Sequence, residues 1–143
     1  MEVRDIIAET AQYTGGINAV IFDIDNTLIE LKTGKLIPST KFLYDYCILK
    51  GFTVFIITAR PSILRLPTML QFSLLGIKID RLIMSPSVIS DDISIGKYKL
   101  RERERIQRNG YQILLSVGNK ESDFFGGLYQ YKFIPQDFYN KMI

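Results

Sequence analysis

The sequence predicts an α/β fold built on a doubly wound, Rossmann-like parallel sheet. Short runs of consecutive apolar residues recur along the chain without the alternation of a half-exposed strand, as in strands covered on both faces. Segments with helical periodicity separate these runs, which is typical of right-handed strand–helix–strand units. Two of the runs end in carboxylates or hydroxyls, where such sheets place their ligands. The 143 residues suit a single domain, residues 1–143.

Four predicted elements make up the first third of the chain. Apolar residues at helical spacing, stopped by two glycines, predict a lead-in helix within residues 1–16. The run AVIFD at 19–23 predicts the first strand. Alternation about a Thr-Gly turn predicts a small hairpin at 28–37, called the flap below. A Pro-Ser pair then begins a helix at 38–50.

The rest of the chain continues the strand–helix alternation. In order, the predicted elements are a strand at 53–58, a helix at 62–75, a strand at 81–84, a polar loop at 85–96, a charged helix with a solvated face at 97–109, a strand at 112–117, a loop at 118–127 and a last strand at 131–134.

Composition narrows the function. The chain has no histidine, which excludes Ser-His and Cys-His catalysis and histidine metal sites. The single cysteine, Cys47, is expected to be a small core residue, and a chain without a disulfide suits a reducing compartment. No apolar run is long enough for a signal peptide or a membrane span, so we expect a cytoplasmic protein without a membrane partner. The net charge of +3 does not indicate a nucleic-acid surface and leaves that question open.

Polar residues from separate elements are expected to meet at one edge of the sheet, because the carboxyl ends of parallel strands converge there. They are Asp23, Asp25, Thr58, Lys99 and the loop at 118–123. Each alone has an ordinary explanation, as a strand end, a solvated lysine or a helix cap. Together they are the residue types of phosphoryl transfer: a nucleophilic carboxylate, an acid/base, a hydroxyl and a lysine for phosphate oxygens, and carboxylates for Mg²⁺.

Four segments in order resemble the motifs of a known superfamily. They are FDIDNT at 22–27, FIITARP at 55–61, KYKLRER at 97–103 and VGNKESD at 117–123. These segments resemble motifs I to IV of the haloacid-dehalogenase-like (HAD) phosphohydrolases, and the last two resemble the plant and bacterial class B-type acid phosphatase branch. The ending YKFIP at 131–135 is similar to the close of that branch. The resemblance covers about residues 19–139 and implies a HAD-like core.

The resemblance implies an enzyme, a phosphoric monoester hydrolase, and a role for each motif residue. Asp23 is the nucleophile that forms an aspartyl phosphate, and Asp25 is the general acid and base. Thr27, Thr58 and Lys99 are phosphate-binding residues, the last two of them also catalytic.

The same resemblance implies a Mg²⁺ site formed by Asp23, the backbone carbonyl of Asp25, and the motif IV residues Asn119 and Asp123. Asn119 departs from the family pattern, which usually has an aspartate there. An amide oxygen can coordinate Mg²⁺, but one negative charge is lost, so we expect weaker metal binding. An alternative function follows: a catalytically weakened HAD-like domain that serves as a binding or interaction module.

The segment between Thr27 and Thr58 has room for the flap and one helix only, so a minimal cap, or none, is expected. An open site is expected to accept bulky or macromolecular phosphomonoesters, or to borrow a lid from a second subunit. The expected partner is a phosphorylated substrate, small or macromolecular, and a homo-oligomer is left open. Two other classes are disfavoured. A receiver domain carries its acidic pair on an earlier strand than the phosphorylated aspartate, and no Gly-Lys-Ser/Thr loop of a P-loop NTPase follows the first strand.

Overall fold

In the computed structural model, which describes residues 4–6, 17–79 and 81–135, the strands form one parallel sheet. They are β1 (Asn18–Phe22), β2 (Thr53–Pro61), β3 (Arg81–Ser85), β4 (Gln112–Val117) and β5 (Tyr131–Phe133). Their order across the sheet is β3-β2-β1-β4-β5, and every neighbouring pair is parallel. The predicted fold class is confirmed.

The helices connect successive parallel strands. They are α1 (Pro38–Leu49), α2 (Arg65–Leu74) and α3 (Asp92–Arg108), with 3₁₀ turns at Ser62–Leu64 and Glu121–Asp123. Of the predicted lead-in helix, residues 4–6 are helical and the rest lies outside the described residues. None of the described helices is both long and apolar enough to cross a bilayer.

Both faces of the sheet are covered, which explains why its inner strands are runs of apolar residues. On one face, α1 and α2 pack over a core that includes Val20, Phe22 and Ile56. On the other, α3 covers a smaller core that includes Ile21 and Ile57. All five residues of β1 are buried, and β1 lies in the middle of the sheet. Whatever follows β1 is therefore placed between the ends of its two neighbouring strands.

The predicted polar loop at 85–96 is wrong in its second half, because α3 begins at Asp92. Asp91 is the reason: its side chain accepts a hydrogen bond of 2.8 Å from the backbone N–H of Ser94 and caps the helix. That bond lowers the pKa of Asp91. The helix therefore starts within the polar stretch, ahead of the lysines of motif III.

The flap at 28–37 closes on itself beside the end of β1. A bridge between Ile29 and Leu36 and a 2.8 Å bond from Glu30 N to Lys35 O hold its two arms together. Residues 23–52, all of them described, hold only this flap and α1, so no cap domain is inserted between β1 and β2. The chain between β1 and β2 therefore places no cap over the carboxyl end of β1.

Candidate active site

Asp23 lies immediately after β1, at the predicted edge of the sheet. Its backbone N–H donates to the carbonyl of Val117, the last residue of β4, at 3.1 Å. This bond continues the pairing of β1 with β4 beyond Phe22. The Asp23 carboxylate is consequently held between the ends of two strands and is largely buried.

A buried lysine joins Asp23 to the loop after β4. Lys99 of α3 is only 4% exposed, and its Nζ lies 3.1 Å from Oδ1 of Asp23. The same ammonium donates a hydrogen bond to Oδ1 of Asp123. Asp23, Lys99 and Asp123, which are predicted to meet, thus form one cluster with two acids for one base.

This imbalance of charge perturbs the ionisation of the cluster. Burial raises the pKa of Asp23 to about 6; the Lys99 ammonium opposes the rise and the Asp123 carboxylate adds to it. Burial works to lower the pKa of Lys99, but the two carboxylates outweigh it and the pKa is raised. The ammonium therefore stays charged, while Asp23 gains from any further cation nearby.

The loop after β4 is folded around the Asp123 carboxylate. Oδ2 of Asp123 accepts hydrogen bonds from the backbone N–H groups of Asn119 at 3.0 Å and Lys120 at 3.1 Å. A Cβ on Gly118 would stand 2.2 Å from that same oxygen, so only glycine fits there. Both oxygens of Asp123 are engaged with protein donors.

A hydrogen bond from Thr27 connects motif I with motif IV. Its buried hydroxyl donates to Oδ1 of Asn119 at 3.4 Å, which places the amide oxygen of Asn119 beside the turn after β1. Thr27 thereby orients Asn119, and its predicted contact with phosphate stays a prediction.

Asp25 is paired with an arginine that the sequence analysis did not single out. Arg60 donates from Nη2 to Oδ1 of Asp25 at 2.6 Å and from Nε to Oδ2 at 3.0 Å. Its Nη1 donates to Thr68 at 3.2 Å and Gln71 at 2.9 Å, both on α2. The only signal in the sequence was the position of Arg60 in the motif II segment, two residues after Thr58.

Thr58 is buried where the pairing of β2 with β3 becomes irregular. Its hydroxyl oxygen accepts the backbone N–H of Arg60 at 3.1 Å, and its carbonyl accepts the hydroxyl of Tyr98 at 3.0 Å. Burial raises the pKa of Tyr98, so this phenol remains a donor. The bond to Tyr98 ties the end of β2 to α3, the helix that carries Lys99.

The prediction that α3 presents a solvated face is wrong for its middle turns, where Arg103 is only 1% exposed. Its guanidinium donates to the carbonyls of Asp123 and Gly127, each at 3.0 Å, and to the carbonyl of Phe125. Burial lowers the pKa of Arg103 from its ordinary value. Arg103 holds the loop after β4 in place, a role that its position in a charged helix could not reveal.

The donors near Asp23 fit a hard cation. The residues predicted to bind the metal would supply a carboxylate from Asp23, an amide oxygen from Asn119 and a backbone carbonyl from Asp25, and oxygen ligands of these kinds suit Mg²⁺. Within residues 4–6, 17–79 and 81–135, no three His, Cys, Asp or Glu side chains are grouped as metal ligands.

A parallel sheet with this acid–lysine–acid cluster at its carboxyl edge is typical of the HAD class of hydrolases. The sequence profile of the HAD superfamily, subfamily IIIB (acid phosphatase), matches residues 29–140, and the chain belongs to this family. The predicted resemblance is confirmed, and the family supports the prediction of a phosphatase. The match begins after Thr27, so the assignment of motif I depends on the residues and geometry of this chain.

Structural comparison points to the same fold. The structure of the class C acid phosphatase from Bacillus anthracis matches with a TM-score of 0.57 and 20% sequence identity. The match covers 86% of this chain and 61% of that one, so this chain spans about three fifths of its structural neighbour. Comparison with curated protein sequences gives no significant match.

Proposed function

We propose that this protein is a Mg²⁺-dependent phosphomonoester phosphatase that acts through an aspartyl phosphate on Asp23. This proposal rests mainly on the position of the buried Lys99 ammonium at the carboxyl end of the central strand. The ammonium lies 3.1 Å from Asp23 and donates a hydrogen bond to Asp123. A nucleophile held against a buried cation at an open edge is the arrangement that attack on a phosphate dianion needs.

The reaction divides between the two acids of motif I. A carboxylate oxygen of Asp23 attacks phosphorus, the bond from phosphorus to the ester oxygen breaks, and Asp25 gives that oxygen a proton. Asp25 then takes a proton from water, the resulting hydroxide attacks phosphorus, and the bond from phosphorus to Asp23 breaks. Inorganic phosphate leaves, and both acids return to their starting states.

Lys99 and Thr58 bind the phosphate oxygens in this proposal. The Lys99 ammonium stays charged and faces Asp23, so it can stabilise charge that develops on phosphorus-bound oxygens. Thr58 ends the buried part of the neighbouring strand β2, and its hydroxyl can donate a hydrogen bond while it accepts that of Arg60 N.

Mg²⁺ would be held by the Asp23 carboxylate, the Asp25 carbonyl and the Asn119 amide oxygen. When bound, the ion offsets negative charge between nucleophile and phosphate. Asp123 was also predicted as a ligand, but because both of its oxygens already accept protein hydrogen bonds, we assign it to holding Lys99 and the loop.

The substrate is proposed to be a phosphomonoester whose leaving group remains outside the protein. The absence of a cap between β1 and β2 leaves room for a bulky or macromolecular leaving group. Turnover of a small aryl phosphate, a phosphopeptide and a 5′-phosphorylated oligonucleotide would test this. Strong preference for a small metabolite over both polymers would contradict it.

The single, buried Cys47, whose pKa burial raises to about 12, suits action in the reducing cytoplasm.

Asn119 favours a second candidate, a HAD-like domain that binds phosphate groups with little turnover. With an amide where the family usually has an acid, and with both oxygens of Asp123 already accepting hydrogen bonds from Lys99 and the loop, the proposed metal site has one acid side chain, Asp23. Weaker metal binding would slow hydrolysis and leave the Lys99 ammonium able to bind a phosphate dianion.

The deciding experiment measures release of inorganic phosphate from aryl phosphate with Mg²⁺ and with EDTA, beside the variant Asp23→Asn. We expect activity that requires Mg²⁺ and is abolished in the variant, with the fold retained by circular dichroism. Equal activity in wild type and Asp23→Asn would reject the nucleophile. Phosphate binding without turnover in wild type would favour the second candidate.

A further inference from the structure

One face of α2 and of the turn before it is apolar and exposed. Ile63, Leu66, Leu70 and Leu74 are 84%, 81%, 60% and 79% exposed. At about 100° per residue, Leu66, Leu70 and Leu74 lie within about 80° of arc around α2, and Ile63 precedes them in the 3₁₀ turn. Phe72 lies on the opposite side and is buried in the core. The four exposed residues are called the α2 stripe below.

The α2 stripe reverses the usual pattern of a surface helix, whose outward face is polar. Single exposed apolar residues need no explanation, but a contiguous row of them marks an interaction surface. The same helix binds Arg60 through Thr68 and Gln71 on its inner side. These two hydrogen bonds fix the rotation of α2 about its axis, so the α2 stripe faces outward.

We propose that the α2 stripe is the surface through which two copies of this chain associate about a two-fold axis. The positions are spaced by three, four and four residues, which is nearly the same spacing when the chain direction is reversed. If the two-fold axis crosses α2 at the level of Thr68, Ile63 of one copy meets Leu74 of the other. Leu66 then meets Leu70, and each contact occurs twice, as a two-fold interface requires.

The charges of this segment favour a second copy as the occupant. Residues 62–75 contain no acid and a single base, Arg65. The Arg65 side chain donates from Nη2 to the carbonyl of Leu82 at 3.1 Å and points away from the stripe. Two identical stripes can therefore meet without opposing like charges. A helix that binds a lipid surface carries Lys and Arg along its polar flank instead, and α2 does not.

The size of the stripe sets the strength of this association. From Ile63 to Leu74 it is about 17 Å long at 1.5 Å per residue. A stripe of this length on one helix is smaller than the patch of about 800 Å² per partner that a standard-size interface buries. We therefore expect a reversible dimer with a dissociation constant in the micromolar range or weaker.

Sedimentation velocity between about 1 µM and 1 mM protein tests the proposal. We expect wild type to shift from one to two chain masses across this range. The double variants Leu66→Glu/Leu70→Glu and Leu66→Lys/Leu70→Lys should each stay monomeric, because like charges then face each other across the axis. An equimolar mixture of the two should restore the dimer, since acids then face bases.

The control is Val88→Glu, which adds one such negative charge in place of an apolar residue that is 78% exposed elsewhere on the chain. It should dimerise like wild type, and circular dichroism should show every variant folded. A wild type that stays monomeric throughout, a mixture that stays monomeric, or double variants that still dimerise would each overturn the proposal. Binding of a monomeric wild type to phosphatidylcholine vesicles would assign the stripe to lipid and overturn it too. None of these outcomes depends on phosphatase activity.

Discussion

Arg60 and Asp25 form a two-point ion pair at the carboxyl edge of the sheet, with nitrogen–oxygen distances of 2.6 and 3.0 Å. The remaining guanidinium nitrogen is fixed by Thr68 and Gln71 of α2. Both carboxylate oxygens of Asp25 therefore accept hydrogen bonds from Arg60. One of them must leave this pair before Asp25 can give a proton to an ester oxygen, so Arg60 is a positioning residue for the proposed general acid.

Replacing Arg60 with lysine should impair esters with poor leaving groups most. Lysine keeps the charge but cannot make the two-point pair, so Asp25 loses its fixed orientation. General-acid catalysis is worth about 10²–10⁴-fold, and an alkyl leaving group needs it more than an aryl one. We expect kcat for an alkyl phosphate to fall about 10²-fold, and kcat for p-nitrophenyl phosphate to fall much less.

The control for Arg60→Lys is Arg65→Lys, at the first residue of α2, where the side chain donates a hydrogen bond to the backbone carbonyl of Leu82 and not to a carboxylate. It should leave both substrates unaffected. A uniform loss on alkyl and aryl phosphates in Arg60→Lys would show that Arg60 maintains structure and does not govern the proton transfer.

Replacing Asn119 with aspartate should tighten Mg²⁺ binding about tenfold. A unit charge 4 Å from a cation is worth about 4 kcal/mol gross at a surface-like dielectric, and solvent cancels most of it. Without metal, the added carboxylate beside Asp23 should lower the melting temperature, because the cluster already has more acids than bases. Calorimetric Mg²⁺ titration and thermal melts with and without Mg²⁺ measure both effects.

Asn109→Asp is the matched control. Asn109 is an exposed residue at the C-terminal end of α3 and is not one of the proposed metal ligands. It introduces the same charge and should leave Mg²⁺ affinity unchanged. Unchanged Mg²⁺ affinity in Asn119→Asp would remove Asn119 from the metal site.

The raised pKa of Asp23 predicts a loss of stability with rising pH in the metal-free protein. Its pKa is about 6 in the folded chain against an ordinary 3.8, so the folded state holds the proton more tightly. This contribution to the free energy of unfolding is full below pH 3.8 and is lost as pH rises through 6. Its upper limit is on the order of 3 kcal/mol, at about 1.4 kcal/mol per pKa unit.

Urea unfolding between pH 4 and 8 in EDTA measures this loss, and Asp23→Asn supplies the comparison because its amide does not titrate. The variant should be more stable than wild type near pH 7 and show a flatter pH dependence. Parallel curves for the two proteins would show that Asp23 ionises normally in the fold.

The sequence predicted the sheet better than the contacts at its edge. The inner strands are apolar runs, so their positions follow from burial, and β4 was predicted at the observed residues 112–117. The start of α3 was missed because its cap, Asp91, stands in a polar stretch. Asp25 lies 35 residues from Arg60 along the chain. The carbonyl groups that Arg103 binds lie 20 and 22 residues from it, so no local sequence pattern could indicate either set of contacts. Local periodicity also gave no sign that the apolar face of α2 would lie outward.

Gly118 offers the sharpest test of how closely the loop after β4 must fit. A methyl group there would meet Asp123 Oδ2 at 2.2 Å, and this carboxylate cannot move without releasing Lys99 or the backbone of Asn119. Gly118→Ala should therefore lower both the melting temperature and kcat, with kcat falling at least about tenfold. Circular dichroism melts and aryl phosphate turnover at saturating Mg²⁺ measure the two effects.

Gly96→Ala adds the same methyl group on α3, where it meets only the partly exposed side chain of Phe125 at 3.1 Å. Phe125 must give by only a few tenths of an ångström, and the preference of the helix for alanine over glycine, up to about 1 kcal/mol, offsets that cost. Gly96→Ala should thus be neutral or slightly stabilising and retain activity. If Gly118→Ala behaved in the same way, the Asp123 carboxylate would be free to move, and the tightly held acid–lysine–acid cluster would not be required for turnover.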